Sequence, residues 1–269
     1  MLGAVATTTI VVHIINRQLS KYLANILSPL QNNEYTVKNS ASFVEKIRTL
    51  SVDPDEILVS FDVVSLFTCI PTHLAIEVVK ERLDSDQSLP ERTNLSIQSI
   101  MTLLQFVLDN NFFVFQGNHY QQIFGCPMGS PVSAILANLV MEHVKEKALS
   151  SIPNPPKWWF RYVDDSHVCV KREHVDEFHS HLNSINPHIK FTIEIESEGS
   201  IAFLDTKTTR QEDGTIAVSV YRKATTPTVT LISNHTTIPS INTRSCALSW
   251  IAQGIFLSRR RKFHGKLSE

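Results

Sequence analysis

The sequence has almost no net charge and no closely spaced pair of cysteines, and each of these features excludes a class of protein. Its 25 lysines and arginines balance 26 acidic residues, a formal charge of −1, so no overall field attracts the chain to nucleic acid. Its four cysteines show no CxxC spacing, which excludes a zinc motif and a disulfide framework. The sequence instead predicts free, mostly buried thiols in a reducing compartment, at Cys69, Cys126, Cys169 and Cys246.

The sequence also lacks a segment that could cross a membrane. The apolar stretch over residues 1–15 has no basic residue before Arg17 and is too short to span a bilayer, so we predict neither a signal peptide nor a transmembrane segment. We therefore expect no membrane partner, an intracellular protein (nuclear or cytoplasmic) and a chain that begins inside a domain. With 269 residues, 42% of them hydrophobic, the chain can form one large domain or two closely joined subdomains.

Charge is distributed unevenly along the chain. Between Asp53 and Glu91 there are nine acidic residues and two basic ones. From residue 200 onward there are ten basic residues and four acidic ones. A basic C-terminal region beside an acidic site suits the phosphate backbone of a nucleic-acid duplex, and an ordinary solvated surface is the alternative.

Two adjacent carboxylates interrupt an apolar, β-branched segment, FRYVDDSHVCV, at residues 160–170. Such a pattern predicts a hairpin with Asp164 and Asp165 at its tight turn. Neighbouring aspartates repel each other in a confined site, so keeping both ionised requires a cation or a basic partner. A solvated turn is the alternative, because aspartate favours turns for local hydrogen-bonding reasons.

A second predicted strand, over 57–63, also ends in an acid. Asp62 lies near the end of this apolar strand, 102 positions before Asp164. If the strand lies beside the hairpin, Asp62, Asp164 and Asp165 converge on one sheet edge. Three carboxylates without a nearby histidine or cysteine favour a hard cation, Mg²⁺ above all.

The loop over 125–131 precedes a predicted helix over 132–149. Gly129 has no side chain and allows a nucleotide or template to approach closely, Ser130 is expected to cap the helix, and Pro131 suits its first turn. A helix start without binding function is the alternative.

The remaining patterns predict further helices and strands. The DQSLPERTN segment reads as a polar loop, with Thr93 or Asn94 capping the helix that follows. Helices are predicted at 16–30, around Phe43 and Ile47, and at 72–84, 95–109, 174–186 and 243–257, and strands at 112–115, 119–123, 189–196, 201–208 and 215–222.

Four of these segments together resemble a known family. They are FDVVSLFTCIP (61–71), GCPMGSPVSAILANLVME (125–142), FRYVDD (160–165) and IAFLDTKTTRQEDG to VYRKAT (201–225). In order and separation they are similar to the successive palm motifs of reverse transcriptases, and most similar to those of Penelope-like retroelements.

This resemblance implies an α+β fold, the right-hand polymerase palm, with a ferredoxin-like antiparallel sheet packed on helices. No basic strand pair precedes Asp62, so the fingers look truncated and little or no thumb is expected. The implied domains are partial fingers-side helices (1–56), the palm (57–225) and the start of a thumb-like or basic C-terminal segment (226–269).

The resemblance further implies an RNA-directed DNA polymerase with an RNA template, a DNA primer and deoxynucleoside triphosphates as partners. Asp62, Asp164 and Asp165 would be catalytic and would hold two Mg²⁺ ions, with Mn²⁺ able to substitute. Phe67 would lie under the sugar and exclude a 2′-hydroxyl. The other implied contacts are Gly129, Ser130, Pro131 and Tyr162 with nucleotide or template, and Arg222 and Lys223 with the nucleic-acid backbone.

Two other functions are compatible with parts of the sequence. A catalytically inactive, truncated retroelement remnant would bind nucleic acid without incorporating nucleotides. A related nucleotide cyclase would carry a GG(D/E)EF-like turn, which FRYVDD does not match. The oligomeric state is not predicted.

Overall fold

The computed structural model describes residues 2–31, 36–116, 118–222 and 257–259. The chain divides into two compact units. The first unit comprises Met1–Gln31, Phe67–Val140 and Asn242–Glu269, and the second comprises Asn32–Leu66 and Met141–Ile241. Cys246, Lys223 and the predicted helix over 243–257, apart from Leu257, lie outside the described residues.

The helices and the strands are each numbered in the order in which they occur along the chain. The helices are α1 (Leu2–Leu27), α2 (Ser40–Ile47), α3 (Leu66–Cys69), α4 (Thr72–Asp84), α5 (Leu89–Arg92), α6 (Ile97–Asp109), α7 (Pro131–Ser151) and α8 (Val175–Ser184). The strands are β1 (Glu56–Val63), β2 (Phe112–Phe115), β3 (Asn118–Gln122), β4 (Trp158–Tyr162), β5 (Asp165–Lys171), β6 (Phe191–Ile195), β7 (Ser200–Phe203), β8 (Thr206–Arg210), β9 (Ile216–Val220) and β10 (Leu257–Arg259). Two 3₁₀ turns, Ser28–Leu30 and Arg172–His174, complete the list.

The first unit is mainly helical. Helix α6 packs on both α1 and α4, and the Asn16 side chain donates to the Val107 carbonyl at 3.2 Å and to the Asn110 carbonyl at 3.0 Å. These bonds cover carbonyls at the C-terminal end of α6 that have no partner within the helix. A three-stranded antiparallel sheet in the order β10-β3-β2 completes the unit.

The second unit is built on a four-stranded antiparallel sheet in the order β4-β5-β1-β6. Along the chain, α7 lies between β1 and β4, and α8 lies between β5 and β6. This β-α-β-β-α-β succession with that strand order is the ferredoxin-like arrangement. Seven of the eight residues of the inner strand β1 are buried, because both of its faces are covered.

Each face of this sheet has its own core. On one face Leu58, Phe160 and Cys169 join a buried cluster with Phe43 of α2 and Phe203 of β7. The opposite face packs on α8, where the ring of Phe178 makes edge contacts with Phe61 and Trp159. A second antiparallel sheet, in the order β7-β8-β9, contributes Ile201 and Ile216 to the first core.

The structure confirms most of the predicted elements. The helix over 72–84, the 112–123 hairpin and the turn at Asp213 and Gly214 are confirmed. Three described cysteines are free, and two of them, Cys126 and Cys169, are buried. No helix in the described part of the chain is both long and apolar enough to cross a bilayer.

Several predicted boundaries were wrong. The first helix starts at Leu2, well before residue 16, and the predicted polar loop before residue 95 contains the short helix α5. The cap of α6 is Ser96, whose hydroxyl accepts from the Ser99 amide at 3.1 Å, instead of Thr93 or Asn94. The predicted strand over 201–208 is two strands, β7 and β8, joined by a turn, and Leu257 lies in a strand.

Candidate active site

Three aspartates lie at one end of the four-stranded sheet. Asp62 is the only exposed residue of β1. Asp165 begins β5 and is the direct cross-strand partner of Asp62. Asp164 lies in the turn between β4 and β5, and its carbonyl accepts from the Val63 amide at 3.2 Å. The backbone therefore brings these three residues together.

The turn that carries Asp164 has an unusual backbone. Tyr162 pairs with Asp165, so Val163 and Asp164 form a two-residue turn. Val163 has a φ of 54°, whereas Asp164 has no positive φ. A positive φ at the first turn position alone is the pattern of a type II′ turn, where glycine is the usual residue. A β-branched residue there stores about 1–3 kcal/mol of strain, and such strain concentrates at functional sites.

The Asp165 carboxyl is half-buried, and its electrostatics are unfavourable. Burial raises its pKa to about 6. A hydrogen bond from the Ser60 hydroxyl at 3.1 Å opposes this rise, and the neighbouring charges of Asp62 and Asp164 add to it. A bound cation would relieve both the burial cost and the repulsion, because it stabilises the ionised form of every carboxylate beside it.

The donor set has the chemistry of a magnesium site. Oxygen donors alone suit a hard divalent ion, and the Cβ atoms of cross-strand partners such as Asp62 and Asp165 lie about 4.5–5.5 Å apart. Within the described ranges, no group of three or more histidine, cysteine, aspartate or glutamate side chains is already arranged to hold a metal. The Asp165 carboxylate is bonded to Ser60 instead. The residues fit Mg²⁺, and its binding would require the carboxylates to rotate toward the ion.

Replacing Asp62 by asparagine should lower the pKa of Asp165, because the substitution removes one of the charges that raise it. In metal-free buffer, carboxyl ¹³C chemical shifts of the wild type should place the Asp165 midpoint near pH 6, and Asp62→Asn should move it toward lower pH. Asp55→Asn is the matched control, since Asp55 pairs with Lys171 at the far end of the strand pair. An unchanged midpoint in Asp62→Asn would show that the two carboxylates do not interact.

Tyr162 is exposed and lies next to the aspartates. Asp165 of β5 has two cross-strand partners, Tyr162 of β4 and Asp62 of β1. Because directly paired residues point to the same face of a sheet, all three side chains lie on one face.

Phe67 lies in α3 and is tied to the loop that begins at Gly125. The Cys126 amide donates to the Phe67 carbonyl at 2.6 Å. Gly125 has a φ of 78°, and a Cβ atom at this position would lie 2.6 Å from the carbonyl oxygen of Thr68. The contact between the two segments is therefore made backbone to backbone, which only glycine allows.

The rest of this loop agrees only partly with the predictions. Gly129 has a φ of 83°, and the space around its missing Cβ is open. Pro131 is the first residue of α7. The predicted cap is wrong: within the described chain the buried Ser130 hydroxyl has no hydrogen-bond partner, and its carbonyl accepts from the Ser133 amide instead.

Arg222 lies beyond β9, and several further polar side chains have contacts of their own. Arg222 is exposed, and the preceding residue, Tyr221, donates its amide to the Asp205 carbonyl at 2.8 Å. The Asn138 side chain donates to the Gln31 side chain at 2.7 Å. On α8, His179 contacts the Phe191 carbonyl and His181 the Ala148 carbonyl, so the two imidazoles point to different elements.

Two residues near the carboxylates were not identified from the sequence. Ser60 precedes Asp62 by two positions, and the period of two in a strand could have placed it on the same face. Arg161 is buried, with 1% of its surface exposed, and its guanidinium donates to the Val163 carbonyl at 2.8 Å. No local pattern distinguishes such an arginine from an exposed one.

A ferredoxin-like antiparallel sheet with carboxylates at the ends of neighbouring strands is typical of the palm class of nucleotide-polymerising enzymes. The reverse transcriptase (RNA-dependent DNA polymerase) family model matches residues 5–197, well over half of the chain. The chain therefore belongs to the reverse transcriptase family. No curated protein sequence matches it.

Solved structures of telomerase share the fold. Apo telomerase from Candida tropicalis matches with a TM-score of 0.56 and 12% identity, over 76% of this chain and 40% of that one. Telomerase from Candida albicans in complex with a TWJ fragment of telomeric RNA matches with a TM-score of 0.52 and 15% identity, over 71% and 36%. The chain thus spans less than half of the length of these telomerases, and the likeness shows a palm-like polymerase fold.

Proposed function

We propose that this chain is the RNA-directed DNA polymerase domain of a retroelement, closest to the Penelope-like group. One observation carries the proposal: Asp62 lies directly opposite Asp165, and Asp164 lies in the strained turn beside them. In this proposal Asp62 and Asp164 hold two Mg²⁺ ions, for which Mn²⁺ could substitute, and Asp165 adds charge to the second site. Paired ions of this kind activate the primer 3′-hydroxyl and stabilise the leaving pyrophosphate.

The proposed partners are an RNA template, a DNA primer and deoxynucleoside triphosphates. One similar telomerase is described in complex with telomeric RNA, which supports an RNA ligand. We further propose that residues 57–225 act as the palm, that Gly129, Ser130, Pro131 and Tyr162 contact nucleotide or template, and that Arg222 and Lys223 bind the backbone. A nuclear or cytoplasmic location would accompany this function.

The second candidate function is an inactive remnant that binds nucleic acid. It is favoured by the lack of a preassembled group of metal-binding side chains in the described residues. Such a protein would bind duplexes with an affinity that falls with salt, and it would not extend primers.

Primer extension separates the two functions. We expect the wild type to extend oligo-dT on a poly-rA template with Mg²⁺ and deoxynucleotide. The Asp164→Asn, Asp165→Asn double variant should lose more activity than the roughly 10–100-fold that follows loss of an outer-shell partner, because the ligands themselves are removed. A folded wild type that incorporates nothing, with or without Mn²⁺, would support the inactive remnant.

Phe67→Ala should relax the selection against ribonucleotides. In the proposed function the Phe67 ring excludes the 2′-hydroxyl, and steric selection of this size is worth about 10–200-fold in kcat/KM ratios. The measurement is the ratio of ribonucleotide to deoxynucleotide incorporation, with Phe106→Ala as the matched control because Phe106 is an exposed phenylalanine of the same unit. An unchanged ratio in an active Phe67→Ala preparation would exclude Phe67 from this role.

A further inference from the structure

Among the residues that the structure describes, Arg161 is the largest fully buried side chain, and it lies beside the turn that carries Asp164. Its main chain is part of β4, and its carbonyl accepts from the Val37 amide at 2.9 Å. One guanidinium nitrogen donates to the Val163 carbonyl at 2.8 Å, and another donates to the Thr36 hydroxyl at 3.3 Å. Burying a charged guanidinium costs free energy, which its hydrogen bonds offset only in part.

The acceptor of the first bond is the central peptide of the turn. The Val163 carbonyl belongs to the peptide that joins Val163 to Asp164. A flip of this peptide interconverts type II′ and type I′ turns, and the type I′ form requires a positive φ at both central residues. Asp164 has no positive φ here, so the peptide has the type II′ orientation. The bond from Arg161 favours this orientation over the flipped one.

The orientation of this peptide determines where Asp164 points. A flip changes φ of Asp164 from negative to positive, which rotates its Cα–Cβ bond relative to the sheet. The φ of 54° at Val163 is strained for a β-branched residue, so contacts from outside the turn must maintain this conformation. The guanidinium also interacts electrostatically with the carboxylates of Asp164 and Glu142, which retains it at the turn.

We propose that Arg161 is a positioning residue that locks the Val163–Asp164 peptide and so fixes the Cα–Cβ direction of Asp164, from which its carboxylate can rotate onto the ion. The inference rests on the proposed function, in which Asp62 and Asp164 bind divalent ions. Arg161 does not touch the ion in this proposal. It acts by preorganising one ligand, in the way that outer-shell groups orient metal ligands elsewhere.

The test measures metal binding without catalysis. Mn²⁺ is titrated into the full chain and free ion is followed by electron paramagnetic resonance, without nucleotide or nucleic acid. Arg161→Met keeps most of the apolar stem but has no donor, and it should bind Mn²⁺ about 10–100-fold more weakly. Arg161→Lys keeps the charge, but its ammonium ends short of the guanidinium nitrogens, so a loss of about 3–10-fold is expected.

Arg210→Met is the matched control for the loss of a half-buried arginine in the same unit. Arg210 pairs with Glu196 at 2.8 Å, away from the turn, so its variant should lose stability and retain wild-type Mn²⁺ affinity. If Arg161 were merely structural, its variants would melt earlier and the folded protein would bind Mn²⁺ as the wild type does.

The outcomes separate this inference from the proposed function. If the wild type binds Mn²⁺ and folded Arg161→Met binds it with the same affinity, the inference about Arg161 is overturned and the proposed metal site is retained. Should Arg161→Met not fold, unchanged affinity in Arg161→Lys overturns it equally. A folded wild type that binds no Mn²⁺ overturns the proposed metal site, and the role of Arg161 with it.

Discussion

Alanine at Gly125 should lower the free energy of unfolding by about 2–5 kcal/mol. Two effects add: a side chain at positive φ costs about 1–2 kcal/mol, and overpacking a filled site costs about 1–3 kcal/mol. The second effect is unavoidable because the new Cβ would lie 2.6 Å from the Thr68 carbonyl and 2.9 Å from the Phe67 carbonyl, both backbone atoms. Urea denaturation followed by circular dichroism measures the loss.

The same loop offers a control for the backbone effect. Gly129 has nearly the same φ, 83° against 78° for Gly125, but no atom lies within 4 Å of its missing Cβ. Gly129→Ala should therefore cost only the first effect, about 1–2 kcal/mol. Equal losses in the two variants would show that the close approach of Gly125 to Thr68 is not a tight contact.

Gly125→Ala should also alter the function proposed for Phe67. The Cys126 amide holds the Phe67 carbonyl at 2.6 Å, so a shift that accommodates the new methyl group must move one of these backbones. We expect the folded fraction of Gly125→Ala to incorporate ribonucleotides more readily than Gly129→Ala does.

Acidification should destabilise the protein through His167. This imidazole is fully buried, and burial lowers its pKa to about 3. Its Nδ1 accepts from the Trp158 indole at 3.4 Å, which leaves Nε2–H to donate to the Thr208 hydroxyl at 3.1 Å. A proton on Nδ1 would point at the indole N–H, and two donors facing each other repel. The imidazole is therefore neutral in the folded protein.

The sign of the effect follows from the two pKa values. Above about pH 6.5 the imidazole is neutral in both states and the protein has its full stability. Below that pH the unfolded chain binds a proton that the folded chain does not, and stability falls by up to about 1.4 kcal/mol per pH unit until the folded pKa of about 3 is reached. Asp165 has the opposite effect on stability. Its pKa is raised in the folded state, so as the pH falls the folded protein binds this proton before the unfolded chain does, which stabilises the fold.

A variant isolates the contribution of His167. Between about pH 8 and about pH 5 the wild type should lose about 2 kcal/mol more in urea unfolding than His167→Gln, whose amide keeps one donor and one acceptor but does not titrate. His188→Gln is the control, since His188 is exposed. If His167→Gln and the wild type showed the same pH dependence, the imidazole would have to have the same pKa in the folded and the unfolded protein.

Turns were the weakest part of the sequence-based prediction. The alternation of Ile201, Phe203 and the residues after them predicted one strand, but Leu204 has a φ of 55° and turns the chain back. Glycine or asparagine is the usual signal for such a turn, and leucine provides none. Val163 adopts the same backbone, and its turn was predicted only because two aspartates follow it.

Helix starts were mispredicted for a related reason. Ser130, Thr93 and Asn94 all have side chains that can cap a helix, and the sequence does not show which of them reaches a free amide. In the structure Ser96 makes that bond for α6, while the Ser130 hydroxyl stays buried without a partner in the described chain.

The sequence by itself determined the strands of the four-stranded sheet, the position of Asp62 near the end of one and a hairpin turn at Asp164, because these follow from alternation and composition over a few residues. Asp165, predicted in the same turn, instead begins β5. Only the tertiary structure decided that Asp62 pairs with Asp165, that Arg161 is buried behind the turn, and that His167 stays neutral. Strand register and dielectric environment depend on which distant segments pack together. Local periodicity holds no information about a partner 103 positions away.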